Sequence, residues 1–222
     1  MHLRLVILAI GALSAALLGG TPVLAETVRI TVTDQKNVLL EDAVVVAIPL
    51  SSKPRSRAQP RPQVIDQINK EFVPLVKGIQ TNTPVVFPNK DNIRHHLYSF
   101  SSPKKFELPL YAGIPANPVI FDKPGIVVLG CNIHDWMLAY VYVTDSPYYG
   151  ATGKEGTVDI EGLAVEEYEV QAWHPGLVSP DGIAKTRLRV NAMQTATASL
   201  QLVVKPITRG RRAPRAGGGG YR

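Results

Sequence analysis

Apolar and polar positions alternate with a period of two along most of this chain, the pattern of strands buried on one face. Residues 28–32, Val-Arg-Ile-Thr-Val, read this way, and Asp34-Gln35-Lys36-Asn37 supplies a turn after them. Residues 43–48 are apolar without interruption, which predicts a strand buried on both faces. Short strands are predicted over 64–68, 72–76, 83–87, 95–100, 106–110 and 119–121. Two longer ones follow at 126–131 and 138–143, after the turn Asp122-Lys123-Pro124-Gly125. The pattern resumes at 157–160, turns at 161–163, and continues at 168–173, 184–190 and 196–204. No long 3.6-residue stripe interrupts it; residues 65–72 are the one place where a helical turn fits.

Many short strands separated by Pro and Gly predict an all-β protein, a sandwich or Greek-key barrel. Residues 51–62, rich in Ser, Pro, Lys and Arg, read as an exposed linker. Residues 147–156 form a second, turn-rich seam. There is no internal repeat.

The chain has 222 residues, and its first 25 read as a secretory signal peptide: a positive start at Arg4, a short apolar run, and the small-residue pattern Val23-Leu24-Ala25 before Glu26. The run is shorter than the ~20 residues of a spanning helix, and no later segment is long and apolar enough for one. The expected location is therefore exported, in the periplasm, with no transmembrane segment after cleavage. The net charge is +6, but Arg209, Arg211, Arg212, Arg215 and Arg222 crowd the C-terminus, so 206–222 is expected to be a disordered basic tail. The remainder is near neutral, and no nucleic-acid partner is implied. A single cysteine, Cys131, excludes an internal disulfide. In an oxidising compartment it is an intermolecular partner or a thiol with chemistry, and metal binding would protect it.

The chemistry concentrates in Cys131-Asn132-Ile133-His134-Asp135-Trp136-Met137. Cysteine, histidine and methionine on one loop between two strands are three soft or borderline metal ligands. A second imidazole, from His95 or His96, would complete the His₂Cys set with a weak axial Met that marks a blue-copper site. Thiolate and imidazole serve both oxidation states of copper with little movement, and Cys131 would bind as the thiolate. A seven-residue loop cannot surround an ion alone, so the fourth ligand must come from a neighbouring strand.

Phe87-Pro88-Asn89-Lys90-Asp91, then His95, then the 130–137 loop resemble the cupredoxins, and the two-residue gaps on both sides of His134 are similar to those of the amicyanins. A wider pattern over 67–147, including Gln67, Phe72-Val73-Pro74, Tyr98-Ser99-Phe100 and Asp145-Ser146-Pro147-Tyr148, resembles exported plastocyanin-like proteins called methylamine utilization proteins. The resemblance implies a cupredoxin Greek-key β-sandwich over 63–149 with one type 1 copper at its end. His95, Cys131 and His134 would be equatorial ligands and Met137 axial. Cupredoxins usually carry Pro before and Asn after the first ligand histidine; this chain has Arg94 and His96 there. Adjacent strand residues point to opposite faces, which favours His95 and leaves His96 as the alternative ligand or a hydrogen-bonding residue behind the site. Residues 26–50 with 150–205 resemble a split carboxypeptidase-regulatory or transthyretin-like β-sandwich into which the copper domain is inserted.

The expected function is single-electron transfer between redox partners, a c-type cytochrome or an amine dehydrogenase-like donor or acceptor, docking near His134. The chain is expected not to be an enzyme: beyond the leader it offers only His95, His96, His134 and His174, too few for a further catalytic copper centre. A periplasmic copper carrier or storage protein uses the same ligands and stands as the alternative, as does an envelope-binding module with an accessory copper site. Trp136 either tunes solvent access to the metal or is a surface aromatic. His174 in Trp173-His174-Pro175 reads as structural, and Glu161, Glu166, Glu167 and Glu169 as a solvated face.

Overall fold

A computed structural model describes residues 26–53, 60–178, 182–193 and 195–207. The leader expected at 1–25, the middle of the linker and nearly all of the basic tail lie outside the described residues. Within them the strands are β1 (Glu26–Asp34), β2 (Val44–Pro49), β3 (Gln63–Val64), β4 (Asp66–Ile68), β5 (Glu71–Val73), β6 (Val76–Gln80), β7 (Thr83–Val86), β8 (His95–Ser99) and β9 (Phe106–Tyr111). They continue with β10 (Val119–Phe121), β11 (Gly125–Cys131), β12 (Leu138–Thr144), β13 (Tyr149–Ala151), β14 (Thr157–Leu163), β15 (Glu167–Trp173), β16 (Ala184–Arg189) and β17 (Ala196–Leu202). The fold is all-β, and no helix among the described residues is long and apolar enough to cross a membrane.

Two pairs of sheets enclose two cores. Sheets β14-β1-β17 and β13-β2-β15-β16 close over Val28, Ile30 and Val32 of β1, Val45 and Ala47 of β2, and Tyr168, Val170 and Ala172 of β15. Each fully buried aliphatic side chain there contributes about 1.5–3 kcal/mol. The Tyr168 hydroxyl accepts the Ala164 amide at 2.9 Å and donates to the Ala164 carbonyl at 3.2 Å. The second pair is β10-β7-β3 over β6-β12-β11-β8-β9. It encloses Val85, Phe87, Leu97, Phe121, Val127, Leu129, Val141 and, at its end, Cys131 and Met137.

The pairs meet through a third apolar cluster. Val44 and Val46 of β2 face Val76, Tyr142 and Trp173, with the Trp173 ring 5.7 Å from Tyr140 and 5.8 Å from Tyr142 between centroids. This explains why 43–48 lacks alternation: one face of β2 serves its own core and the other serves the junction. β12 is divided the same way, with Ala139, Val141 and Val143 turned inward and Tyr140 and Tyr142 turned to the junction.

Three local expectations are corrected. Residues 65–72 form no helical turn: β4 and β5 pair as a hairpin whose two turn residues, Asn69 and Lys70, have φ of 55° and 59°. Positive φ at both central positions gives the twist a two-residue hairpin needs, and burial of Ile65, Gln67 and Phe72 on one side keeps the period at two. The turn expected at 161–163 is absent because β14 runs through it. A register shift opposite Glu26–Val28 absorbs an extra residue at Gly162, φ 82°, as a β-bulge does. Finally, the seam at 147–156 contains β13, paired with β2.

Trp173→Ala, which empties the centre of the junction, is expected to cost about 3–5 kcal/mol in denaturant unfolding. A loss under about 1 kcal/mol would show that the two sandwiches do not depend on that contact.

Candidate metal centre

The period of two on β8 turns His95, Leu97 and Ser99 inward and leaves His96 and Tyr98 on the outer face. β11 pairs with β8 so that Cys131 lies opposite Leu97 and Gly130 opposite Tyr98. His95 and Cys131 therefore share the inner face, one pleat apart. Tyr98 lies against the strand at Gly130, where a Cβ would come within 2.8 Å of the far end of its ring, so a larger residue before Cys131 would displace the Tyr98 side chain. After Cys131 the chain turns back, held by the Asn132 amide on the His96 carbonyl at 3.1 Å and the Met137 amide on the His134 carbonyl at 3.0 Å.

These constraints bring three side chains to one point. Cys131 Sγ is 3.9 Å from His95 Nδ1 and 3.8 Å from His134 Nδ1, and the three ligand atoms all lie within 4.8 Å of one another. Metal–nitrogen bonds of about 2.0 Å and metal–sulfur bonds of about 2.3 Å keep a nitrogen and a sulfur that share one ion within about 4.3 Å of each other, and both N···S separations meet that limit. The described side chains thus already stand at metal-binding separation. His95 is fully buried and Cys131 is 4% exposed, while His134 is half-buried. Met137 is buried in the same cluster as Cys131. His96 is not brought to this point: its Nε2 lies 2.7 Å from Glu107 Oε1 on the outer face. His174 is in the other sandwich, where its Nδ1 accepts the Gly176 amide at 3.0 Å.

The layer behind these side chains is where residue patterns gave least warning. Asp91 Oδ2 lies 2.8 Å from His95 Nε2. The same carboxylate accepts the Asn69 amide on Oδ1 at 2.6 Å and the Lys70 amide on Oδ2 at 2.8 Å. Asn89 prepares that loop: its Oδ1 accepts the Asp91 amide at 3.0 Å and its Nδ2 donates to the carbonyls of Ile93 and Tyr111, each at 2.8 Å. Burial raises the Asp91 pKa, but the hydrogen bonds from His95 and from the Lys70 and Asn69 amides outweigh it and leave the carboxyl below its usual range. Trp136 is not a free surface aromatic. Its Nε1–H donates to the Lys70 carbonyl at 3.1 Å and its ring stands 5.0 Å from that of His134. Burial, with His95 and Lys70 nearby, lowers the His134 pKa against the smaller opposing pull of Asp91, so its ring stays neutral and able to bind metal to lower pH than a free imidazole.

Below the site, Gln67 Nε2 donates to the Tyr111 hydroxyl and to the Phe87 carbonyl, and the Tyr111 hydroxyl donates to the same carbonyl at 2.7 Å. Tyr111 stands opposite His95 in the β8–β9 ladder. Nothing local in the sequence connects Asp91 or His95 to the Asn69–Lys70 turn.

No protein-family model matches this chain, and no curated protein matches it. Parts of it are similar to solved cupredoxin structures. A copper-containing nitrite reductase from Thermus scotoductus SA-01 is 24% identical over 44% of this chain and 25% of that one, with a TM-score of 0.35. This chain thus spans about a quarter of that enzyme's length. A purple cupredoxin from Nitrosopumilus maritimus is 22% identical over 37% of this chain and 99% of that one, TM-score 0.33. A point mutant of amicyanin in its reduced Cu(I) form is 17% identical over 44% of this chain and 97% of that one, TM-score 0.34. None of these three carries the methylamine utilization name.

Burial, opposed by the Gln67 hydrogen bond and assisted by Cys131, pushes the Tyr111 hydroxyl up to about 12. In an alkaline ultraviolet titration the difference between the protein and Tyr111→Phe is expected to show a tyrosinate signal with its midpoint near pH 12. A tyrosinate signal belonging to Tyr111 near its ordinary value of about 10 would mean that the layer under the site is open to water.

Proposed function

We propose that this chain is an exported mononuclear type 1 copper protein that passes single electrons between redox partners. The reading rests on one observation: a buried thiol stands 3.9 Å from an inward-facing imidazole nitrogen and 3.8 Å from a loop imidazole nitrogen, in the same buried cluster that holds Met137. That donor set, two nitrogens and a soft sulfur with a thioether at hand, fits copper in either oxidation state. A bound copper would supply the one-electron step.

The protein's own residues would do the rest. Cys131 gives up its proton to bind as thiolate. His95 and His134 present Nδ1 lone pairs from positions fixed by the sheet and by the loop. Because strand pairing and the loop's hydrogen bonds hold the segments that carry these side chains, little movement would be needed between oxidation states, and this supports electron transfer over handover of the ion as a copper carrier or storage protein. His134, half-buried with its ring against that of Trp136, is the most exposed of the candidate ligands. A redox partner of the c-type cytochrome or amine dehydrogenase kind would dock over it. Export rests on the leader at residues 1–25. The outer sandwich, joined through Trp173, would serve as a support or an envelope-binding module.

Addition of Cu(II) to the metal-free protein is expected to give an intense blue colour at one copper per chain, reduced reversibly by one electron. Cys131→Ser is expected to abolish the colour, and His95→Ala to bleach it where His96→Ala does not. A wild-type protein that binds Cu(II) without colour would sink the type 1 reading. One that binds only Cu(I) and surrenders it without redox cycling would turn the reading to a copper carrier.

A further inference from the structure

We propose that Asp91 is a positioning residue for the metal: its carboxylate fixes the proton of His95 on Nε2, aims Nδ1 at Cys131, and ties that imidazole to the Asn69–Lys70 turn, so that the higher copper oxidation state is favoured. The inference deepens the type 1 reading above and rests on it.

The geometry carries the assignment. A carboxylate has only acceptor positions for the ring, so the 2.8 Å contact to His95 Nε2 requires the hydrogen to sit on that nitrogen. In the neutral imidazole Nδ1 then holds the lone pair, and Nδ1 is the atom 3.9 Å from Cys131 Sγ. His95 is fully buried, so water does not compete for Nε2. Two amides of a hairpin turn hold the carboxylate itself, at 2.6 and 2.8 Å, and Asn89 holds its loop. Asp91 therefore cannot swing away without leaving three donors unpaired. The turn's Lys70 carbonyl accepts the Trp136 indole N–H, and the Trp136 ring packs against that of His134, 5.0 Å between centroids. One two-residue turn is thus the common reference for both imidazoles.

The electronic consequence follows from charge. A carboxylate behind a ligand histidine raises the basicity of the ligating nitrogen. The more highly charged Cu(II) gains more from this than Cu(I), so the hydrogen bond holds the reduction potential down. Removing such a partner typically lowers metal affinity about 10–100-fold. If Asp91→Asn weakens Cu(II) tenfold more than Cu(I), the potential rises by about 59 mV.

Two measurements test this, the first without copper. In nitrogen-15 NMR of the metal-free protein, His95 is expected as the Nε2–H tautomer with an exchange-protected, downfield Hε2 proton. In Asp91→Asn that proton is expected to lose its downfield shift and protection. In the second, copper-loaded Asp91→Asn is expected to stay blue with a raised potential and Cu(II) affinity reduced at least tenfold more than Cu(I) affinity. An Nδ1–H tautomer in the wild type overturns the proposal, and this arm holds even if the variant fails to fold. A blue Asp91→Asn protein with unchanged potential overturns it as well. A wild type that has the Nε2–H tautomer and takes up no blue copper sinks the type 1 reading while leaving the His95–Asp91 positioning in place.

Discussion

The ladder between β8 and β11, with Leu97 opposite Cys131 and Tyr98 opposite Gly130, sets every other distance at the site. Side chains on a strand alternate, so a slip of one residue would carry the whole inward set to the other face. His95 and Leu97 would leave the core and His96 and Tyr98 would enter it. What prevents the slip is not the ligands but their apolar neighbours. Leu97 on β8 and Val127 and Leu129 on β11 are completely buried, and turning out whichever strand slipped would cost about 1.5–3 kcal/mol for each such side chain it carries. On the outer face the Tyr98 ring lies over Gly130, in space that a side chain at 130 would have to share. Ordinary core packing thus aligns a thiol and an imidazole that contribute little to folding.

The same ladder explains why the site lies at the end of the core and not within it. A buried imidazole without partners for both ring nitrogens is costly in an apolar interior. Cys131 is the last residue of β11 and His95 the first of β8, so both sit where strand gives way to loop and side-chain partners can reach them. Behind them the sheet is stiffened from its other face. Tyr140 and Tyr142 of β12 pack on Trp173 and β2 of the second sandwich, so the strand that follows the ligand loop is covered on both sides.

Much of this was legible in the chain. Alternation placed most strands, predicted that His95 and His96 would face opposite ways, and marked 43–48 as buried on both faces before any partner was known. Spacing alone put Cys131, His134 and Met137 on one loop. The hairpin at 66–73 was less legible, because Asn69-Lys70 lacks the glycine that usually announces a two-residue turn. Asp91 was not legible as part of the site. Its meaning depends on amides 21 and 22 residues away, and no periodicity reports which turn will fold over which carboxylate. The second-layer place expected for His96 is instead occupied by Asp91, since alternation sends the His96 ring to Glu107.

Three candidate ligands on one seven-residue loop would be a poor device if the loop moved freely, because changing copper's charge would then rearrange them. Here the loop is fastened at each end to a different part of the frame. Asn132 bonds to the β8 backbone, and Trp136 bonds to the carbonyl of Lys70 in the hairpin turn. Each such bond contributes only about 1 kcal/mol, yet both must break together for the loop to lift. The hairpin turn in turn reaches His95 through Asp91. The strand imidazole and the loop imidazole come from segments nearly forty residues apart, yet their positions are set against the same two turn residues. A displacement of one is therefore resisted through the contacts of the other, which is the stiffness that the proposed one-electron copper site would require.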